Sequence, residues 1–231
     1  MASGGLFFLV VLAFLAFAGF GIWYGAAQAK KRRELLQSFA AGEGWRWVPR
    51  DDSWTARFQG APFEQGDNRK ALNVLDGTFR NRPMIAFDYS YETHSTDSKG
   101  NSQTTTHRFA ICSLAMPAAL PEFELTPEGV LGRVGTMLGM QDIELESEDF
   151  NRRFRVRCED AKLAYDLLPP RTMEALLARP ALHVRLYGVD ALCWENGAHS
   201  PAELLARLDT LATLLDGVPP YVWSDRKGTA P

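Results

Sequence analysis

The sequence predicts an α+β fold, an N-terminal transmembrane helix followed by an antiparallel sheet with helices packed on one face. Three observations carry that expectation: an uncharged apolar run from Leu6 to Ala27, a period of two between Ala71 and Leu114, and capped helical patterns between Asp160 and Gly217. The expected organisation is an anchor over 1–29, a helical basic stalk over 30–44, a cytoplasmic α+β domain over 45–217 and a disordered tail over 218–231.

The apolar run holds no charged side chain and is followed by Lys30, Lys31, Arg32 and Arg33. At about 1.5 Å of rise per residue such a run crosses the roughly 30 Å hydrocarbon core of a bilayer. Every backbone amide must be paired inside lipid, so the run is expected to be helical. Trp23 and Tyr24 close it at the depth where amphipathic rings favour the headgroups. With the basic cluster they form the expected membrane interface: Trp23, Tyr24, Lys30, Lys31, Arg32 and Arg33. No lysine or arginine precedes the run, so the charge bias puts the N-terminus outside and the rest of the chain in the cytoplasm. Ala27-Gln28-Ala29 also has the small-x-small form of a signal-peptidase site, but a signal peptide carries its charge before a shorter apolar core.

Gln28 to Ala41 continues the helix, with Leu35, Leu36 and Phe39 along one side and Gly42 and Gly44 as stops. Trp45, Arg46, Trp47 and Val48 alternate as a strand would, and Trp45, Trp47 and Trp54 suit either the core or the lipid interface. Three antiparallel strands follow: Leu72 to Phe79, Met84 to Glu92 with Ile85, Phe87, Tyr89 and Tyr91 on one face, and His107 to Leu114. The last is apolar on both faces and is expected to be central. The polar stretch His94 to Thr106 is expected to form a mobile hairpin tip.

Thr126 and Pro127 look like the start of a glycine-rich helix ending at Gly139. Asp142 to Glu146 and Arg153 to Cys158 alternate acid or base with apolar residues, which predicts a hairpin. Its expected register sets Leu145 against Phe154, Ile143 against Val156, Glu146 against Arg153, Glu144 against Arg155 and Asp142 against Arg157. Asp160 caps a helix over Ala161 to Leu168, and Pro169-Pro170 open another over Arg171 to Ala178. Leu182 to Tyr187 and Ala191 to Trp194 read as a strand pair turning at Gly188 to Asp190. Ser200, Pro201 and Glu203 form a capping box, and Leu204, Leu208, Leu211 and Leu215 make one apolar stripe ending at Gly217.

The whole chain carries a formal charge of −3; without the four positive charges of Lys30 to Arg33, residues 34–231 carry −7. That acidity disfavours nucleic acid, while the basic collar suits an anionic membrane surface. Cys112, Cys158 and Cys193 lie far apart in apolar runs with no C-x-x-C pair, so they read as small buried hydrophobes of a reducing compartment. No nucleophile elbow, zincin motif, Walker loop or zinc-ligand spacing occurs, so no catalytic, cofactor or metal residue is assigned. His94 and His107 flank the polar stretch without a third ligand, and Glu144, Glu146, Glu148 and Asp149 each have an arginine to pair with.

Phe150-Asn-Arg-Arg-Phe-Arg-Val156 and Leu167-Leu-Pro-Pro-Arg-Thr-Met-Glu-Ala-Leu-Leu177 resemble a group of functionally uncharacterised bacterial single-pass membrane proteins with a cytoplasmic domain. The resemblance implies an inner-membrane location and supplies no site residue. The expected function is therefore a membrane-anchored cytoplasmic binding or scaffolding module, in contact with the lipid bilayer and with a protein partner at the membrane. The alternative is a membrane-tethered enzyme or small-ligand-binding domain whose polar groups converge only in the fold.

Overall fold

The structure, a computed structural model, describes residues 2–98, 100–129 and 140–225, without the side chains of residues 2–11, 13–15, 18 and 22. Its elements are α1 (Ala2–Glu43), β1 (Arg46–Arg50), β2 (Asp67–Phe79), β3 (Arg82–Thr96), β4 (Ser102–Pro127), β5 (Gln141–Ile143), α2 (Glu148–Arg153), β6 (Phe154–Cys158), α3 (Ala161–Leu167), α4 (Pro170–Leu177), β7 (His183–Asn196), α5 (Pro201–Gly217) and α6 (Pro220–Ser224). A short 3-10 turn, Asp52–Ala56, follows β1.

The seven strands form one antiparallel sheet in the order β1-β2-β3-β4-β6-β5, with β7 on the other edge of β4. β4 is the organising strand. Its first half pairs with β3, its last residues pair with β6, and β7 runs along it from Phe109 to Leu125. The β4–β7 register shifts between Ala115 and Leu120 and again between Leu120 and Phe123. Pro117 and Pro121 fall inside these two irregularities, since a proline has no N–H to give a ladder and is tolerated at a bulge.

Each face of the sheet buries its own core. One face, with Leu75, Ala86, Leu114, Phe123 and Val184, packs against the helices through Leu163, Met173, Leu208 and Leu211. The other, with Ile85, Phe87, Tyr89, Ile111 and Trp194, is covered by Phe58 and Phe63 from the segment after β1. The helices thus sit on one side, as the sequence predicts. α1 joins the helix side through its C-terminal third, where Leu36 and Ala40 are fully buried. Leu35, expected on the same side, is exposed because neighbouring helical positions point about 100° apart. Trp45 belongs to the core: its Nε1–H donates to the Thr78 carbonyl at 3.0 Å, and its ring lies where a Cβ on Gly77 would stand.

Several expectations are corrected. His94 to Thr106 is mostly strand, with His94 opposite Thr104 and Thr96 opposite Ser102. Backbone ladders need no apolar side chains, and the β-branched threonines favour them. Thr126 and Pro127 belong to β4, opposite Arg155 and Phe154, because strand pairing overrides the cap signal; the rest of that expected helix, from Val130 to Gly139, lies outside the described residues. Leu182 to Trp194 does not turn back on itself. It is one strand, β7, that passes Gly188 (φ +57°) and stays on the edge that β4 offers.

The β5–β6 hairpin has the predicted register at Asp142–Arg157 and Ile143–Val156 but ends there. Ser147 accepts from the Phe150 N–H and starts α2, so Arg153 is helical and the Glu144–Arg155 and Glu146–Arg153 pairs do not form. Asp142 alone holds both Arg155, at 2.5 Å, and Arg157, at 3.7 Å. Residues 218–225 are no disordered tail, since α6 buries Val222 and Tyr221 donates to Asp166 at 2.5 Å.

The helical state of the apolar run agrees with expectation, because α1 is continuous from Ala2 to Glu43. Among the described residues no helix is long and apolar enough to cross a membrane. The expected span falls largely on the side chains outside the description, so the transmembrane helix does not follow from the structure.

Candidate functional site

A cavity of about 240 Å³ opens on the sheet face away from the helices, walled by Arg57, Phe58, Gln59, Glu122, Arg185, Tyr187, Asp190 and Leu192. Its outer wall is the segment between β1 and β2. Asp51 starts the 3-10 turn by accepting from Ser53, and Asp52 accepts the Ala71 N–H at 3.1 Å, which ties the segment to β2. Phe58 and Phe63 then stack onto the sheet, with Phe63 4.8 Å from Tyr89 and Phe58 6.3 Å from Phe87. Arg185 of β7 fixes the far end by donating to the Gln59 and Ala61 carbonyls, with its guanidinium 5.5 Å from the Trp194 ring centre.

The charges around this cavity are unequally matched. Arg57 pairs with Asp190 at 2.6 Å, and Arg157 reaches Glu124 at 3.5 Å. Glu122, only 7% exposed, has neither a hydrogen bond nor an ion pair among the described residues. It lies between the paired residues Leu120 and Phe123, at the bulge that Pro121 interrupts, where a strand re-aims its side chains. Burial pushes its carboxyl up, with Arg185 opposing and Glu124 and Glu159 reinforcing. Burial also raises Glu124 and Asp190, and it lowers Arg185. On the same sheet face the Tyr89 hydroxyl is buried with no partner among the described residues, and desolvation lifts the phenol to about 12.

A second polar cluster lies on the helix face. Asp88 of β3 accepts from Arg32 of α1 at 2.8 Å, from the Asn73 side-chain amide at 2.8 Å and from the His199 backbone N–H at 2.8 Å. His199 Nε2 donates to the Ile111 carbonyl at 3.0 Å, so its Nδ1 is the acceptor facing Arg207 at 3.3 Å. Burial, helped by Arg207 and Arg32 against Asp88, lowers the imidazole's affinity for a proton. Cys112 Sγ is 4.0 Å away, but burial first, then Cys193, pushes its thiol well up and keeps it un-ionised. These bonds fasten α1 and the start of α5 to the sheet, with the Asn73 Oδ1 atom left buried without a partner among the described residues.

The residues expected at a membrane interface divide into two sets. Trp23, Tyr24, Lys30, Lys31 and Arg33 are exposed on α1, whereas Arg32 turns into the domain toward Asp88. His94 and His107 are not brought together: His94 contacts Thr104 at 3.0 Å and His107 contacts Thr93 at 2.9 Å. Among the described residues no group of three or more His, Cys, Asp or Glu could hold a metal ion. Cys112, Cys158 and Cys193 are free and buried, as their apolar surroundings suggest.

The Phe150 to Val156 string that carries the sequence resemblance does structural work. Asn151 bonds both the N–H and the carbonyl of Leu145, Phe150 and Phe154 pack 4.8 Å apart, and Arg153 caps the carbonyls of Leu177 and Arg179. Sequence reasoning missed Glu122 and Arg185. Their signal was a charged residue on alternate positions of apolar runs, Glu122 and Glu124 about Phe123, and Arg185 between Val184 and Leu186.

No family model matches the chain, and no curated protein matches it. Among solved structures, the crystal structure of the mycobacterial trehalose monomycolate transport factor A, TtfA, is similar, with a TM-score of 0.61 and 14% identity over 81% of this chain and 96% of that one. At that identity the likeness shows a shared fold.

Proposed function

We propose that this chain is a membrane-anchored binding module, an accessory domain held at the cytoplasmic face of a bacterial inner membrane by the first part of α1. The observation that carries the reading is the way α1 leaves the domain. Its C-terminal third is fastened by Leu36, Ala40 and Arg32, while Leu12, Phe17, Phe20, Trp23 and Tyr24 stand exposed on the part beyond. Large apolar side chains grouped on a projecting helix require a cover, and the uncharged sequence from Leu6 to Ala27 favours lipid as that cover. The four basic residues that follow the run, Lys30 to Arg33, support an inward-facing domain. One solved neighbour of the fold is named a transport factor, which supports an accessory role over a catalytic one.

A small-ligand-binding role for the same domain is favoured by one specific feature, the cavity with the unpaired Glu122. The membrane reading is tested by expressing the full chain with a C-terminal reporter active only in the cytoplasm, and by washing membranes at alkaline pH. Retention in the washed membrane with an active reporter is expected. A chain released by the wash, or a reporter on the outer side, overturns the reading.

A further inference from the structure

We propose that the cavity beside Glu122 binds a small organic cation, an alkylammonium, with the Glu122 carboxylate as its counter-ion and Phe58, Tyr187 and Leu192 as the wall for its carbon chain. The inference deepens the binding-module reading given above.

Glu122 is the carboxylate of the cavity lining that has no bonded partner among the described residues. It is 7% exposed, it lines the cavity, and no donor among the described residues reaches it. A buried carboxylate without a partner is unfavourable, so a cavity built around one is completed by a cation or by a hydrogen-bond donor. The neighbouring cations are already engaged. Arg57 is held by Asp190 at 2.6 Å and lies over the Phe58 ring, Arg185 is spent on two carbonyls and Trp194, and Arg157 is shared between Glu124 and Asp142. The donor edges of those guanidinium groups are thus committed, and the charge of Arg185, which faces two neutral carbonyls, is felt by Glu122 without a hydrogen bond between them.

A divalent metal is disfavoured because it asks for several oxygen ligands, and among the described residues lining the cavity Glu122 is the one unpaired carboxylate. Size narrows the choice further. About 240 Å³ lies below the roughly 300–1,000 Å³ of pockets for drug-sized ligands and leaves room for a short amine. The half-exposed Tyr187 ring at the rim offers a face to a cation, and the −7 charge of residues 34–231 raises the local concentration of one.

Binding requires the ionised carboxylate, so affinity is expected to rise with pH as Glu122 loses its proton, and to level off once it is ionised. The groups that set this titration are Glu124 on the same strand, Arg185 and Asp190 on β7, Arg57 on the covering segment, and Arg157 and Glu159 at the end of β6.

The test is calorimetric titration of the full chain in detergent with butylammonium and 1,4-diaminobutane, with n-butanol and glucose as neutral probes and acetate as the anionic one. Saturable binding of the amines alone is expected, weakened about tenfold or more by Glu122→Gln and about threefold by Tyr187→Ala, whose exposed ring is no part of the core. No saturation by either amine, equal binding of glucose or butanol, or amine affinity unchanged in Glu122→Gln overturns the proposal. If Glu122→Gln does not fold, unchanged affinity in Tyr187→Ala overturns it instead. None of these failures alters the membrane result, which is read from the reporter and the wash.

Discussion

Arg32 of α1 and Asp88 of β3 lie 2.8 Å apart, which turns one member of the basic collar away from solvent and into the domain. The same carboxylate accepts from Asn73 and from the His199 backbone, so three elements distant in sequence meet on one side chain. The pair makes the end of the helix and the sheet one rigid unit.

Removing Asp88 leaves three donors without their acceptor. Asp88→Ala is expected to destabilise the domain by about 3 kcal/mol or more, and Arg32→Ala by about 1–2 kcal/mol, because Arg32 is one-third exposed and its loss is partly screened. Urea unfolding of the full chain in detergent, followed by tryptophan fluorescence, checks the order; equal effects of the two variants would show that the Asn73 and His199 bonds to Asp88 contribute little.

Glu122 gives a pH dependence with a definite sign. Its affinity for a proton is higher in the folded state, so its favourable contribution is fully present below the unfolded carboxylate value and is lost as pH rises through the raised folded value. Glu122→Gln stays neutral throughout. The variant is therefore expected to match the wild type in acid and to melt at a higher temperature at pH 8, where the wild type holds an unpaired charge. Melting curves at the two pH values decide this, and a variant less stable at pH 8 would contradict it.

Gly77 is required by the approach of Trp45. A Cβ at residue 77 would stand 2.3 Å from Trp45 Cδ1, and the indole is held in place by its bond to the Thr78 carbonyl. Gly77→Ala is expected to cost about 1–3 kcal/mol through overpacking, visible as a lower urea midpoint and a shifted tryptophan emission.

The three cysteines are expected to resist maleimide in the native protein and to react fully in denaturant. Burial raises Cys112 well above the ordinary thiol range, with Cys193 opposite it across the strands, and burial raises Cys158 as well. Mass spectrometry after timed labelling measures this; rapid native labelling of Cys112 would show that α1 or α5 opens readily from the sheet.

Local chemistry was legible from the residues alone. Alternation identified the β3 face of Ile85, Phe87, Tyr89 and Tyr91, and charge complementarity placed Asp142 opposite Arg157. The Ser200 cap with Glu203 marked the start of α5. Each of these depends on neighbours within a turn or across one short hairpin, so the sequence by itself determined them.

Tertiary structure decided the rest. It chose strand for the polar residues on both sides of the Asp97–Asn101 tip, one continuous β7 in place of a hairpin, and Asp88 as the partner of Arg32. It also built the cavity, where Arg185 holds the Gln59 carbonyl across 126 residues of sequence. A backbone ladder or a buried charge takes whichever partner the completed sheet presents; for β7, Arg32 and Arg185 that partner lies far along the chain, and for the His94 to Thr106 hairpin the ladder uses backbone groups that apolar periodicity does not report.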